Sequence, residues 1–230
     1  MDYQYAYLTM NIFFLLVWLV LFIVRKDLRR EILTMSVLIA PLGITQIFFF
    51  RDYWHPTYSL GTIFGVVGLE EIIFCFLIGG IAAVIYEEIF GLRYAKRHVK
   101  NHLYFMLGCS VLGILGMIIG NIVLGFNSMY VSIVLLLLIS IAILIFRHDL
   151  LKDALFSGLL VGLFMFISYT LLFNTIFDGV IQKWWLLKNL SGILVSGVPI
   201  EELAWAFSWG LVAGPAYEFI TGLKFKKIAN

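Results

Sequence analysis

The chain is predicted to be an all-α integral membrane protein of seven transmembrane helices, built as two parallel three-helix repeats joined by one extra helix. Three observations lead there. Hydrophobic residues fill 62% of its 230 positions and charged residues only 13%, and mean hydropathy is strongly positive. Apolar runs lie near 5–24, 32–50, 62–90, 103–125, 128–146, 154–177 and 190–222, each close to or above the about 20 residues a helix needs to cross the hydrocarbon. One string of landmarks also occurs twice, 131 positions apart: Trp54 with Trp185, Gly61 with Gly192, Glu70 and Glu71 with Glu201 and Glu202, Phe76 with Phe207, Gly79 with Gly210, Tyr86 and Glu87 with Tyr217 and Glu218.

The runs are continuous rather than alternating and too long for single strands, which excludes an outer-membrane barrel. The first run lacks a basic region ahead of it and is long enough to stay as an anchor, so no cleaved signal peptide is expected. Thirteen of the sixteen lysines and arginines follow the first, third, fifth and seventh runs, at Arg25 to Arg30, Arg93 to Lys100, Arg147 and Lys152, and Lys224 to Lys227. Positively charged loops stay cytoplasmic, so the amino terminus is expected outside and the carboxyl terminus in the cytoplasm of a cell-membrane protein. This loop asymmetry accounts for the net charge of +2 and gives no reason to propose a nucleic-acid partner.

Arg30 and Glu31 precede the second run as Lys152 and Asp153 precede the sixth, so the duplication extends upstream at a different offset. A three-helix unit ends on the opposite side from its start, and joining two in parallel needs one more crossing, which the fourth run supplies. The expected domains are a first repeat at 1–102, a linker helix at 103–127 and a second repeat at 128–230, related by an axis along the membrane normal.

The chemistry falls on the third helix of each repeat. Four ionised carboxylates at mid-membrane cost on the order of 10 kcal/mol, so intramembrane glutamates mark function. Two carboxyl groups in a dry pocket do not both ionise, which sets a proton donor beside a proton acceptor. At about 3.6 residues per turn, Glu71, Gly79, Ala82 and Tyr86 share one face, as do Glu202, Gly210, Ala213 and Tyr217. The small residues predict a seam where the two third helices pack together. Pro199 is expected to kink the seventh helix ahead of Glu201, with Gly68 in the equivalent place. Among the aromatic residues, Trp184 and Trp185 read as an interfacial belt, whereas Trp205 lies one turn from the glutamates and offers a face to a cation.

The segment Pro199, Ile200, Glu201, Glu202, Leu203, Ala204, Trp205 resembles the P-x-E-E-x-x-F signature of the flavin-free carotenoid cyclases, the lycopene cyclase type that occurs as two small subunits or one fused chain. The first copy, Gly68, Leu69, Glu70, Glu71, Ile72, Ile73, Phe74, matches as well. Each departs once, the first at Gly68 and the second at Trp205. The resemblance implies a redox-neutral cyclisation in which the ψ-ends of lycopene, or of a related linear carotenoid, become β-ionone rings. Its acid and base would be drawn from Glu201, Glu202, Glu70 and Glu71, with Trp205, Phe74, Phe207, Phe76, Tyr217, Tyr86 and Pro199 shaping the substrate and cation site.

No cofactor is expected: the chain has no G-x-G-x-x-G fingerprint. No metal is expected either, since His98 and His102 have ligand spacing but no third ligand. Expected partners are the carotenoid, the lipid bilayer and other carotenoid-pathway enzymes. Asp149 and Asp153 read as a solvated cytoplasmic loop, and Cys75 and Cys109 as small apolar residues. The rival class is a small transporter of the same three-one-three plan with proton-coupling carboxylates, and a carotenoid-binding subunit without turnover is a third.

Overall fold

Long apolar stretches with few breakers become long helices. The computed structural model describes residues 3–95 and 99–227. In it α1 is Ala6–Val24 and α2 is Arg29–Ile39. A 3-10 segment, Ala40–Thr45, where Pro41 removes a donor, connects α2 to α3 at Gln46–Asp52. Then come α4 (Leu69–Phe90), α5 (Leu103–Met117), α6 (Ser128–Phe146), α7 (Leu151–Leu171), the short α8 (Val180–Trp184) and α9 (Ile200–Thr221). Turns of π-helix, Ile118–Val123 and Leu172–Ile176, extend α5 and α7. Among the described residues, six segments are long and apolar enough to cross a membrane: Ala6–Val24, Arg29–Asp52, Leu69–Phe90, Leu103–Val123, Ser128–Phe146 and His148–Ile176. The 22-residue α9 has the length but carries Glu201, Glu202 and Glu218.

The runs expected at 62–90 and 190–222 enter their helices late. Thr62–Ile63 pairs with Val67–Gly68, and Leu194–Val195 with Val198–Pro199, as small antiparallel ribbons. Phe64 and Gly65, like Ser196 and Gly197, have positive φ, and the second pair makes the two-residue turn that suits a tight hairpin. The glutamate pairs therefore sit in the first turns of α4 and α9, where the helix dipole favours negative charge. Pro199 is the residue before α9 rather than a kink within it; the proline inside that helix is Pro215.

Both halves close in the same way at the far end. Arg25 donates to the Glu87 carbonyl at 3.1 Å and pairs with Asp27 at 2.9 Å. Arg147 donates to the Glu218 carbonyl at 3.0 Å and pairs with Asp149 at 2.8 Å. Each arginine thus adds a second donor to a carbonyl that already accepts from the glycine closing its helix, Gly91 N–H to Glu87 and Gly222 N–H to Glu218. At the glutamate end, Trp54 and Trp185 meet backbone to backbone with ring centroids 5.0 Å apart.

The expected glycine seam lies elsewhere. A Cβ on Gly210 would come within 2.6 Å of the Ser157 carbonyl oxygen and 2.8 Å of Gly158 Cα on α7, and one on Gly79 within 2.7 Å of Ile39 on α2. The glycines let each third helix approach the second helix of its own repeat. The expectation of a solvated Asp153 is also corrected. It is buried on α7 and accepts from Ser157 Oγ at 3.0 Å. His98 lies outside the described residues, while His102 stacks on Phe219. Asp52 accepts from Asn121 at 2.6 Å and Ser128 Oγ at 2.6 Å, tying the α5–α6 turn to the end of α3.

Candidate active site

Adjacent residues in a helix point about 100° apart, so the two glutamates of each pair cannot face the same way. The first of each pair turns to the loop that leads into its hairpin. Glu70 Oε1 accepts from the Ser59 and Leu60 backbone N–H groups at 2.6 and 2.8 Å and from Ser59 Oγ at 3.0 Å. Glu201 Oε1 accepts from the Ser191 N–H and the Tyr130 hydroxyl, both at 2.8 Å. These carboxylates anchor the chain entering α4 and α9.

The second of each pair turns inward. Glu71 and Glu202 line one cavity of about 80 Å³ that is partly open to the surroundings, with Tyr7, Tyr53, Phe74, Tyr169 and Trp205 among its walls. Both carboxyl groups are buried. Tyr7 and Tyr58 donate to Glu71 at 2.8 and 3.0 Å. Glu202 receives Tyr53, Tyr169 at 3.2 Å and Trp185 Nε1 at 2.8 Å. Trp185 Nε1 is also 2.8 Å from the Tyr53 oxygen. No lysine or arginine is among these donors, so the carboxyl groups are held by phenols and an indole rather than by fixed positive charge. Burial and then the Glu71 carboxylate raise the pKa of the Tyr58 hydroxyl, in the loop before α4, which keeps it a donor.

Aromatic faces complete the cavity. Trp205 stacks parallel to Trp209, with centroids 6.1 Å apart. Phe74 packs between Tyr7 at 6.2 Å and Phe14 at 5.7 Å. Such faces carry the negative side of a ring quadrupole and attract cations.

Of the residues singled out from sequence, Glu71, Glu202, Phe74 and Trp205 meet in this cavity. Glu70, Glu201 and Pro199 stand just behind it, in the hairpins and first helical turns. Phe76 packs instead on Trp18, at 5.6 Å, and Phe207 against Gly158 on α7. Tyr86 and Tyr217 lie fifteen residues beyond Glu71 and Glu202, about 22 Å along their helices, and do not join the site. Sequence reasoning missed Tyr7, Tyr53, Tyr58, Tyr169 and Tyr130, and it assigned Trp185 to a boundary belt. Trp184 and Trp185 are in fact 1% and 3% exposed, and Trp185 holds Glu202.

Fold and cavity together define an internally repeated helical protein, with helices apolar enough to cross a membrane, that brings one carboxyl group from each copy into a single apolar, aromatic pocket. The family model for lycopene cyclase matches residues 4–89 and 127–220, and the chain belongs to that family. No curated protein and no solved structure matches the chain. The two matched regions coincide with the two copies of the glutamate motif, one on each side of α5. Membership makes this an enzyme of carotenoid cyclisation with a carotenoid substrate.

Proposed function

We propose that the protein closes the ψ-ends of lycopene, or of a related linear carotenoid, into β-ionone rings by redox-neutral acid–base chemistry, with Glu71 and Glu202 as the acid and base. The observation that carries this reading is the convergence of these two carboxyl groups, one from each copy, on one aromatic cavity. Two carboxyl groups sharing a dry space hold one proton between them more readily than none.

The carboxylic acid gives its proton to the terminal double bond, leaving a tertiary cation. The internal alkene attacks it, forming the ring carbon–carbon bond and moving the positive charge onto the ring. A ring proton then passes to the carboxylate, leaving the new double bond. One proton enters and one leaves, so substrate and product are isomers, and the pair ends with its proton on the other member. Trp205 and Phe74 present faces to the cation, while Tyr53, Tyr169 and Trp185 on one side, and Tyr7 and Tyr58 on the other, fix the carboxyl groups. Protonating an alkene is difficult for a carboxylic acid, so positioning and electrostatic stabilisation must supply much of the rate. Glu70 and Glu201 serve the same site by anchoring the hairpins.

We read α9 as the seventh crossing, with the amino terminus outside, the carboxyl terminus cytoplasmic and domain limits at 1–102, 103–127 and 128–230. In support, α4 and α9 both start at the shared cavity and end at the Arg25 and Arg147 clusters, which begin the basic loops. Expression in a lycopene-accumulating host tests the function. Cyclic carotenoid is expected from the wild type and at least a hundredfold less from Glu202→Gln at equal membrane level. Unchanged lycopene beside abundant wild-type protein would refute the proposal.

A further inference from the structure

A second space adjoins the acid cavity along the bundle. It lies between α2, α4, α5, α6 and α9, has an empty volume of about 1640 Å³ that is partly open to the surroundings, and shares Leu42, Phe49, Cys75 and Trp205 with the acid cavity. On α9 its lining runs from Trp205 to Ile220, about 22 Å of helix rise against a hydrocarbon thickness of about 30 Å. The few hydroxyls along it are spent on their own helices. Thr45 donates to the Leu42 carbonyl at 2.6 Å, Ser110 to Met106 at 3.0 Å and Ser132 to Met129 at 2.8 Å. The wall therefore offers a ligand contact area and almost no hydrogen bonds.

The outer wall of this cleft is α5. Only 11% of its apolar stretch is buried, the least of the six spans, and it lies outside both regions matched by the family model. The seam where α1 meets α7 is filled: Phe14 and Phe164 pack at 4.8 Å and Phe13 stacks on Phe164 at 6.2 Å.

We propose that this cleft holds the linear polyene tail of the substrate while its reacting end lies between Glu71 and Glu202, with α5 as the wall facing the bilayer. The inference rests on the cyclase reading. A long conjugated hydrocarbon needs an apolar, nearly featureless slot that ends at the acids, and the shared lining residues set the two spaces side by side. A lipid acyl chain is the competing occupant that the experiment separates.

The test uses the full chain in nanodiscs with lycopene as the probe. An achiral polyene gains visible circular dichroism only when a chiral site holds it. Ser110→Trp and Gly113→Trp put bulk into the cleft, and at Gly113 a Cβ meets only Ile139, at 3.7 Å, so there is room for a larger group to enter. Leu112→Trp, on the exposed side of α5, is the control. Wild type, Leu112→Trp and Glu202→Gln should show the induced band, and the two cleft variants should lose it at least tenfold together with ring formation. Should a tryptophan variant fail to accumulate, Ser110→Cys modified after purification with a bulky maleimide gives the same comparison, with Leu112→Cys treated alike. Cyclisation and the induced band both persisting in the blocked forms would overturn the cleft assignment and leave the cyclase reading intact. An induced band lost on blocking, in a wild type that makes no ring, would uphold the cleft and sink the cyclase reading. Co-purified lipid with no lycopene band in the wild type would overturn the inference in favour of an acyl chain.

Discussion

Replacing Tyr53 by phenylalanine removes one oxygen from the site and nothing else. That hydroxyl donates to Glu202 Oε1, and Trp185 Nε1 lies 2.8 Å from both oxygens. A hydrogen bond to a charged group is worth about 1.5–3 kcal/mol, and about 1.4 kcal/mol is a factor of ten, so complete loss of its effect on the barrier would slow ring formation about 10- to 150-fold. Trp185 still holds the same carboxylate oxygen, so the lower part of that range is expected, about 10- to 30-fold. The ring of Tyr53 is buried beside Phe49 and keeps its packing, so membrane level and lycopene binding should stay within about twofold of wild type, a range worth only a few tenths of a kcal/mol. The assay is the initial rate of cyclic carotenoid formation by chromatography in membranes normalised for protein. A rate within twofold of wild type would refute the argument that this hydroxyl orients the reacting carboxyl group.

Four other outcomes follow from the same geometry. Glu71→Gln and Glu202→Gln should each lower the turnover rate by about 10²- to 10⁴-fold, the usual worth of a general acid or base, without loss of protein from the membrane. Glu201→Gln should do less to turnover than Glu202→Gln but lower the thermal midpoint of the purified protein, since it weakens the charge-assisted bonds from Ser191 and Tyr130, each worth about 1.5–3 kcal/mol. Gly210→Ala should cost about 1–3 kcal/mol of stability through overpacking against α7, whereas Gly113→Ala should be silent; thermal unfolding followed by size-exclusion chromatography separates the two. Asp52→Asn should loosen the α5–α6 turn and speed hydrogen exchange at the Ser128 amide, which now donates to Asp52 Oδ2 at 3.1 Å.

The membrane class, the repeat and the four glutamates were legible because each rests on local composition or on matching residues at fixed spacing. The division of labour within a pair was not. Glu70 and Glu71 differ by one residue, and which of them faces inward depends on how α4 is rotated by packing against α1 and α2. The late helix starts were partly legible: Gly61, Gly65 and Gly68, then Gly192, Gly197 and Pro199, are turn signals that the surrounding apolar run masks. The tyrosines were hidden by distance along the chain, since Tyr7 and Tyr169 reach the cavity from α1 and α7. Aromatic residues near the ends of membrane helices also read as belts, and Trp185 was assigned on that ground. Nothing in its local sequence tells a tryptophan at a lipid boundary from one bonded to a buried acid.

Tyr53 belongs to the first copy and Glu202 to the second, so the grip on the reacting group spans the duplication. The second half translated alone would carry a carboxylate deprived of part of its cradle, the first half would lack the opposing acid, and activity would return only when the complementary fragment was supplied. The ancestral twofold likeness has also been released from any need for identity: the two carboxyl groups now keep different company and are free to drift toward separate tasks, provided the neighbouring half drifts with them.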